Sequence, residues 1–434
     1  MPPQMPSSLA DRRVSRRTAL SGAAAAVLGA PLFVPRRVLG APGTPGANDQ
    51  VGVGVIGVGF RATLLVEQLP EAARVVALCD CDLSRAEEFR KKKGADWPVY
   101  QDYRQLLERP DVDAVIVATQ EFQRVLPCIH ACQAGKDVYA EKPLSLGIHE
   151  GRVLVKAVRK YGRVLQVGTQ QRSMEMNRVA CDFLRGGGLG AIREVRAVNY
   201  TGPQPLPAQP FPEEPTPPGL DWDMWLNQAA WRPYNAEWRG GWQDMTGGEM
   251  TNWGAHGIDQ VQWALGTDDT GPVEIKPVTP GFNGEVTMRY ASGVVLNLAL
   301  PKGPIGGAVF IGEKGKLEIN RNKFASNPPE IAAELLRQVD VSEEERKWSD
   351  DLALWQARWH LQNWLDCVRT RETPRSDVEI GHRSVSVCHL ANIARYLGRA
   401  LRWDPAAERF EGDDEANRWA IRERRPAFAL PDIA

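Results

Sequence analysis

The 434-residue chain has little of what would tie it to a membrane, a nucleic acid or a metal. A bilayer-spanning helix needs about 20 consecutive apolar residues, and the apolar stretch Ala23 to Val34 is short and rich in alanine. An excess of charge of one sign is also missing. The 53 Lys and Arg stand against 54 Asp and Glu, so no domain-wide basic surface exists and nucleic acid is not an expected partner. The seven cysteines are odd in number and scattered. Cys79 and Cys81 flank Asp80, Cys128 and Cys132 lie at helical spacing, and neither pair has the companions of a zinc site or a disulfide framework. The six histidines are dispersed as well, and no metal site is expected.

The first residues stand apart. Ser15-Arg16-Arg17-Thr18-Ala19-Leu20 precedes the apolar stretch, Pro35-Arg36-Arg37 follows it, and the small residues Gly40 and Ala41 offer a cleavage point. This reads as a twin-arginine export signal, with residues 1–47 as signal and linker and the mature protein in the periplasm. That route carries folded proteins, so a cofactor loaded in the cytoplasm travels inside.

What is present begins at Val51. A β-branched run, Val51 to Ile56, leads into Gly57, Gly59 and Ala62, a G-x-G-x-x-A turn followed by a helical pattern. In a βαβ unit such glycines allow the tight turn and the approach of a pyrophosphate to a helix N-terminus. A second strand, Arg74 to Cys79, ends at Asp80, about twenty residues on, where an acidic side chain receives the ribose hydroxyl of NAD. A carboxylate there repels a 2′-phosphate, so NAD is favoured, while Arg61 leaves NADP possible. Phe60, Thr119 and Gln120 fall beside the same cradle.

Further strands at Asp113–Thr119, Lys136–Ala140 and Arg163–Gly168 alternate with helices, which predicts a doubly wound parallel sheet over residues 48–169. From residue 170 the pattern changes. A proline-crowded loop (Pro203 to Pro218) and a stretch from Trp222 to Trp263 holding seven of the 14 tryptophans precede alternating segments with Gly-containing turns. The segments at Val273–Lys276, Glu285–Tyr290, Val294–Leu300, Ala308–Ile311 and Lys316–Ile319 predict antiparallel strands, and Leu352–Thr370 and His382–Leu401 predict two long helices.

Three motifs together resemble the Gfo/Idh/MocA oxidoreductases: the Gly57 fingerprint, Glu141-Lys142-Pro143 after a strand, and the run Gly247 to Asp259. The resemblance implies a Rossmann domain followed, over residues 170–434, by an α+β domain with a large, mostly antiparallel, open-faced sheet through which subunits pair as dimers or tetramers. It implies a sugar or polyol substrate. It places Glu141 and Lys142 at the cofactor, Lys142 between nicotinamide and substrate, and His256 as proton acceptor. Where relatives have an aspartate, this chain has Asn252, which shares a helix face with His256. An amide orients a hydroxyl but takes no proton. After Thr119 the order Gln120-Glu121-Phe122-Gln123-Arg124 also departs from relatives, putting Arg124 where a histidine is common.

On the substrate side the resemblance places Gln170 and Arg172, the latter either to hold an anionic or keto group or to face solvent. Trp253 is the tryptophan expected to stack on a sugar face, and Asp259 is expected to orient His256 or to sit in a buried polar network. Trp222, Trp225, Trp231, Trp238, Trp242 and Trp263 are expected in packing or subunit contacts. The expected activity is NAD-dependent hydride transfer from a sugar or cyclitol alcohol. NAD-assisted glycoside cleavage and silent sugar binding are the alternatives.

Overall fold

The computed structural model describes residues 50–340 and 356–433, so the expected export signal lies outside the described residues. The first strands are β1 (Val51–Ile56), β2 (Ala73–Cys79), β3 (Val99–Tyr100), β4 (Ala114–Val117), β5 (Asp137–Ala140) and β6 (Leu165–Val167). They form one parallel sheet in the order β3-β2-β1-β4-β5-β6. This is the doubly wound order, and its ligand crevice opens between the carboxyl ends of β1 and β4. The strands are near-continuous apolar runs because both faces are covered. Interleaved helices are α1 (Phe60–Glu67), α2 (Leu83–Lys92), α3 (Tyr103–Leu107), α4 (Glu121–Gln133) and α5 (Ile148–Lys160). Asp82 and Asp102 cap α2 and α3 by accepting backbone N–H groups of Arg85 and Arg104.

The second half begins with α6 (Glu175–Arg185) and β7 (Ile192–Val198), then a short helix α7 (Trp222–Leu226) and the long α8 (Glu249–Leu265). Six strands follow: β8 (Pro272–Pro277), β9 (Val286–Tyr290), β10 (Val295–Leu300), β11 (Ala308–Gly312), β12 (Gly315–Asn320) and β13 (Lys323–Asn327). After α9 (Pro329–Gln338) come α10 (Arg358–Thr370), α11 (Val378–Leu397), β14 (Leu401–Asp404), β15 (Arg409–Phe410) and α12 (Asp414–Ala420). The nine-stranded sheet runs β13-β12-β11-β7-β10-β9-β8-β14-β15, antiparallel except where β7 pairs with β10. Alternate residues such as Val195, Ala197, Leu296 and Leu298 face a core shared with α6, α8 and α11. The other face is polar: Arg196 meets Glu194 at 2.8 Å, and Asn297 donates to Glu194 and accepts from Thr287.

Two differences from the sequence reading have plain causes. The last long helix stops at Leu397, not Leu401, because Gly398 takes a left-handed C-cap (φ 64°) and releases Leu401 to pair with Ile275. It starts at Val378, earlier than expected, because Asp377 caps it. The helix expected over Leu352–Thr370 begins, within the described residues, at Arg358. It returns to the first domain. Leu361, Trp364 and Leu365 of α10 join Val53, Ile116 and Tyr139 in one buried cluster with Leu65 of α1. Trp364 meets the Tyr139 ring edge-on at 5.7 Å between centroids. Truncating this fully buried anchor, Trp364→Ala, is expected to cost about 3–5 kcal/mol in denaturant unfolding. A loss below about 1 kcal/mol would show that α10 does not stabilise the sheet.

Candidate active site

At the crevice, Gly57 has φ 84°, and a Cβ there would come within 2.8 Å of the Thr119 nitrogen. β1 and β4 therefore converge as only glycine permits. Gly59 has nothing within 4 Å of its Cβ position and starts α1 with no side-chain cap, leaving space in front of the first helical N–H groups. Asp80 accepts from the backbone N–H of Val58 and of Asp82, both at 2.9 Å. Gly57, Gly59, Asp80, Thr119 and Gln120 line one cavity of about 100 Å³, roofed by Trp225. The roof is part of a strap from the second half of the chain. Leu83 donates to the Gly219 carbonyl and Asp221 to that of Cys81, each at 2.8 Å. Gln123 donates to the Trp225 carbonyl, and Trp222 stacks on Trp225.

A second cavity of about 360 Å³ adjoins it, lined by Phe60, Arg61, Glu141, Lys142, Gln170, Asn252, Trp253 and His256. Its floor is set by Glu141, at the end of β5. That buried carboxylate accepts from Arg61 Nε at 2.7 Å and from the backbone N–H of Lys142 at 3.1 Å. It lies so close to Gly168 that a Cβ there would meet it at 2.8 Å. Burial pushes the Glu141 pKa up, but Arg61 and Lys142 outweigh it and hold the group below its ordinary value.

Lys142 is half-buried, and its Nζ donates to Asn252 Oδ1 at 2.6 Å and to the Asn252 carbonyl at 3.2 Å. Burial pulls its pKa down to about 8 against the attraction of Glu141, with Arg61 and Arg124 adding to the fall. Asn252, Trp253 and His256 come from α8. The helix begins at Gly248 (φ 71°), where a Cβ would strike the Gly202 carbonyl carbon at 2.4 Å. Its start is tied to α4, because buried Glu121 accepts from the Gly247 N–H and from Thr251 Oγ1. His256 is buried, and burial followed by the charges of Arg321 and Lys142 holds its pKa well below 6.5. Its Nδ1 has no partner. The imidazole is thus neutral, the form that can take a proton, although the same burial and charges weaken it as a base.

Arg124, singled out in the sequence, does line this cavity, but its terminal nitrogens are bonded to the carbonyls of Pro143 and Thr119, fastening the lysine loop to β4. Sequence reading missed other residues here. Glu249 accepts from Asn252 Nδ2 at 3.3 Å, so the amide is oriented between a carboxylate and the Lys142 ammonium. A neighbouring cavity of about 500 Å³ continues past Lys142, Asn252 and Glu249. Arg321, from the turn between β12 and β13, also reaches the cavity wall.

Arg172 is a correction, as is any substrate-side role for Asp259, which takes the second of its two expected places, a buried polar network. Neither lines these cavities. Arg172 Nε meets Asp259 at 2.9 Å, its other end meets Asp268 at 2.7 Å, and Asp259 also accepts from Ser384. With Arg172 and Asp259 buried and Arg172 held at both ends of its fork, the guanidinium is not available to a substrate, and Asp259 belongs to a buried network and not to His256. Of the tryptophans assigned to packing, Trp222, Trp225, Trp238 and Trp263 are buried, whereas Trp231 is 65% exposed. Removing one partner of a buried pair strands the other charge. Arg172→Met should therefore lower unfolding free energy by about 3–5 kcal/mol in urea titration; an unchanged midpoint would refute the structural role.

In comparisons with known proteins, residues 51–169 match the family model described as oxidoreductase family, NAD-binding Rossmann fold, and residues 198–430 the one described as oxidoreductase family, C-terminal alpha/beta domain. Trans-1,2-dihydrobenzene-1,2-diol dehydrogenase of Macaca fuscata fuscata is 35% identical over 149 residues, 34% of this chain and 43% of the relative. The scyllo-inositol 2-dehydrogenase (NAD(+)) of Bacillus subtilis is 33% identical over 130 residues, 29% of this chain and 37% of the relative. The matched stretch thus spans less than half the length of these curated relatives. The WlbA dehydrogenase from Bordetella pertussis, solved in complex with NADH and UDP-GlcNAcA, superposes with a TM-score of 0.60 at 17% identity over 83% of this chain and 99% of that one. This likeness establishes the fold. The open glycine cradle, the uncapped start of α1 and Asp80 at the end of β2 fit an NAD molecule.

Proposed function

The chain belongs to the Gfo/Idh/MocA oxidoreductase family, and on that premise we propose that it oxidises a secondary alcohol of a sugar or cyclitol with NAD. The observation that carries this reading is the meeting of Lys142 and Asn252 at 2.6 Å, with His256 one helical turn further along the same cavity wall. NAD, when bound, supplies the acceptor for the hydride. Gly57, Gly59, Phe60, Thr119 and Gln120 line its path, and Asp80 takes a ribose hydroxyl. Asn252 holds the reacting hydroxyl, His256 takes its proton, and the Lys142 ammonium stabilises the alkoxide character that develops on the oxygen. Trp253 and Gln170 face the substrate.

Support for a carbohydrate-like substrate comes from the relatives that act on an inositol and a dihydrodiol. We also assign the protein to the periplasm, exported by the twin-arginine route, on the strength of Ser15-Arg16-Arg17 and the apolar stretch Ala23 to Val34. Pairing as a dimer or tetramer is assigned to the polar open face around Glu194 and Asn297.

The test is nicotinamide reduction by purified protein with a panel of sugars and inositols. Lys142→Met should lower kcat by about 10²–10³-fold while leaving NAD bound. Wild-type turnover by that variant, or no reduction with any alcohol, would remove the reading. Product release from a glycoside without net reduction would instead favour transient oxidation. The pH profile is a second check. Lys142 must be protonated to act, so kcat should fall as pH rises through about 8, the direction set by its depressed pKa. Lys142→Arg should move that limb upward, and neutral His256 should give no acidic limb near pH 6.5.

A further inference from the structure

Arg321 is a buried charge to which the proposed chemistry gives no role. Its residue is 4% exposed, yet among the described residues it makes no ion pair, and the carboxylate that acts on it from a distance, Glu141, is already bonded to Arg61. The contrast with other buried arginines is informative. Arg172 is held by two aspartates, and Arg424 by Glu150. Arg124 and Arg395 also lack carboxylates, but both terminal nitrogens of each are bonded to carbonyl or amide oxygens, and only the Nε of Arg124 is left without an acceptor. With the Gln170 amide turned so that its nitrogen donates to the Gly168 carbonyl, its oxygen accepts from Arg321 Nη2 at 3.0 Å, and the guanidinium flanks the Trp253 ring with 5.4 Å to the centroid. Its Nε is buried with no acceptor.

The turn that carries Arg321 is firmly placed. Asn322 donates from its backbone to the fully buried Asn177, Asn177 donates to Gln171, and Gln171 donates to the Gly306 carbonyl beside His256. The guanidinium is thus held in position at the wall that carries Trp253 and His256.

The charge balance of the cavity is uneven. Lys142 and Arg321 face it, and its carboxylate, Glu141, is already bonded to Arg61. An oxidised nicotinamide adds a further positive charge, while the pyrophosphate has its own cradle at Gly59 and the start of α1. A neutral sugar would leave Arg321 buried with no counter-charge of its own, only a share of the Glu141 carboxylate that Arg61 holds, which is costly in a low-dielectric site. A planar carboxylate matches the guanidinium fork and supplies that charge.

Resting on the proposed sugar or cyclitol oxidation, we infer that the substrate is an acidic sugar or cyclitol whose carboxylate is bound by Arg321. The carboxylate is unchanged in the reaction. The hydride leaves the carbinol carbon for NAD, the hydroxyl proton goes to His256, and a ketone forms. The acid group fixes which carbinol carbon faces Lys142.

The test compares D-glucuronate and D-galacturonate with D-glucose, D-galactose and glucuronate methyl ester, using the full-length protein with NAD. The acids should have kcat/KM about tenfold or more above their neutral counterparts. Arg321→Met should collapse that ratio through the KM of the acids, and Arg321→Lys should keep part of it, charge without fork. Equal use of acids and neutral sugars by wild type overturns the inference. So does an unchanged ratio in Arg321→Met with weakened NAD binding, which would assign the guanidinium to the cofactor. If no sugar is oxidised, the function falls separately, and calorimetric titration with glucuronate decides this point. Binding by wild type that Arg321→Met loses upholds the acid site, and no binding by wild type overturns it.

Discussion

The ion pair of half-buried Arg61 with buried Glu141 is the constraint from which the rest of the site derives. Glu141 could not be ionised so far from water alone, and Arg61, from the helix that opens the cofactor cradle, compensates it. The same carboxylate then fixes the Lys142 backbone N–H. One ion pair therefore links the loop beneath the phosphates to the residue that faces the substrate. Gly168 belongs to this arrangement, since any side chain there would displace Glu141.

The two halves of the chain are interlocked by groups that a linear division at residue 169 separates. Glu121 secures the beginning of α8, so the register of Asn252 and His256 depends on a residue of the first sheet's own helix. The strap over Asp80 works the other way, the second half lending Trp225 to a cavity of the first. Lys142 and Asn252 meet across this junction, 110 residues apart. The catalytic geometry is thus a property of the assembled chain.

Much of this was legible in the sequence because it is written in local patterns. Short apolar runs rich in β-branched residues, alternating with helical patterns, marked the parallel strands, and helical spacing put Asn252 and His256 on one face. Pairings set only by folding were not legible. Arg172 and Asp259 are 87 positions apart, and no spacing rule says that a buried arginine has already found its acid. Arg321 lay hidden because a charged residue in a tight turn ordinarily points to solvent. The strand β13 escaped notice for a similar reason: its residues alternate between exposed and half-buried, so no apolar face marks it. Gly398 was a readable stop signal that apolar periodicity alone passed over.

The return of α10 to the first sheet has a consequence for how the protein is made. β1, β4 and β5 have one face covered early by α4 and α5, but Tyr139 and Ile116 wait for Trp364. At a ribosomal rate of about 5–20 residues per second, roughly 10–40 s pass between completing β6 and completing α10. For that interval the nascent chain exposes an unroofed apolar surface, the kind that folding helpers bind.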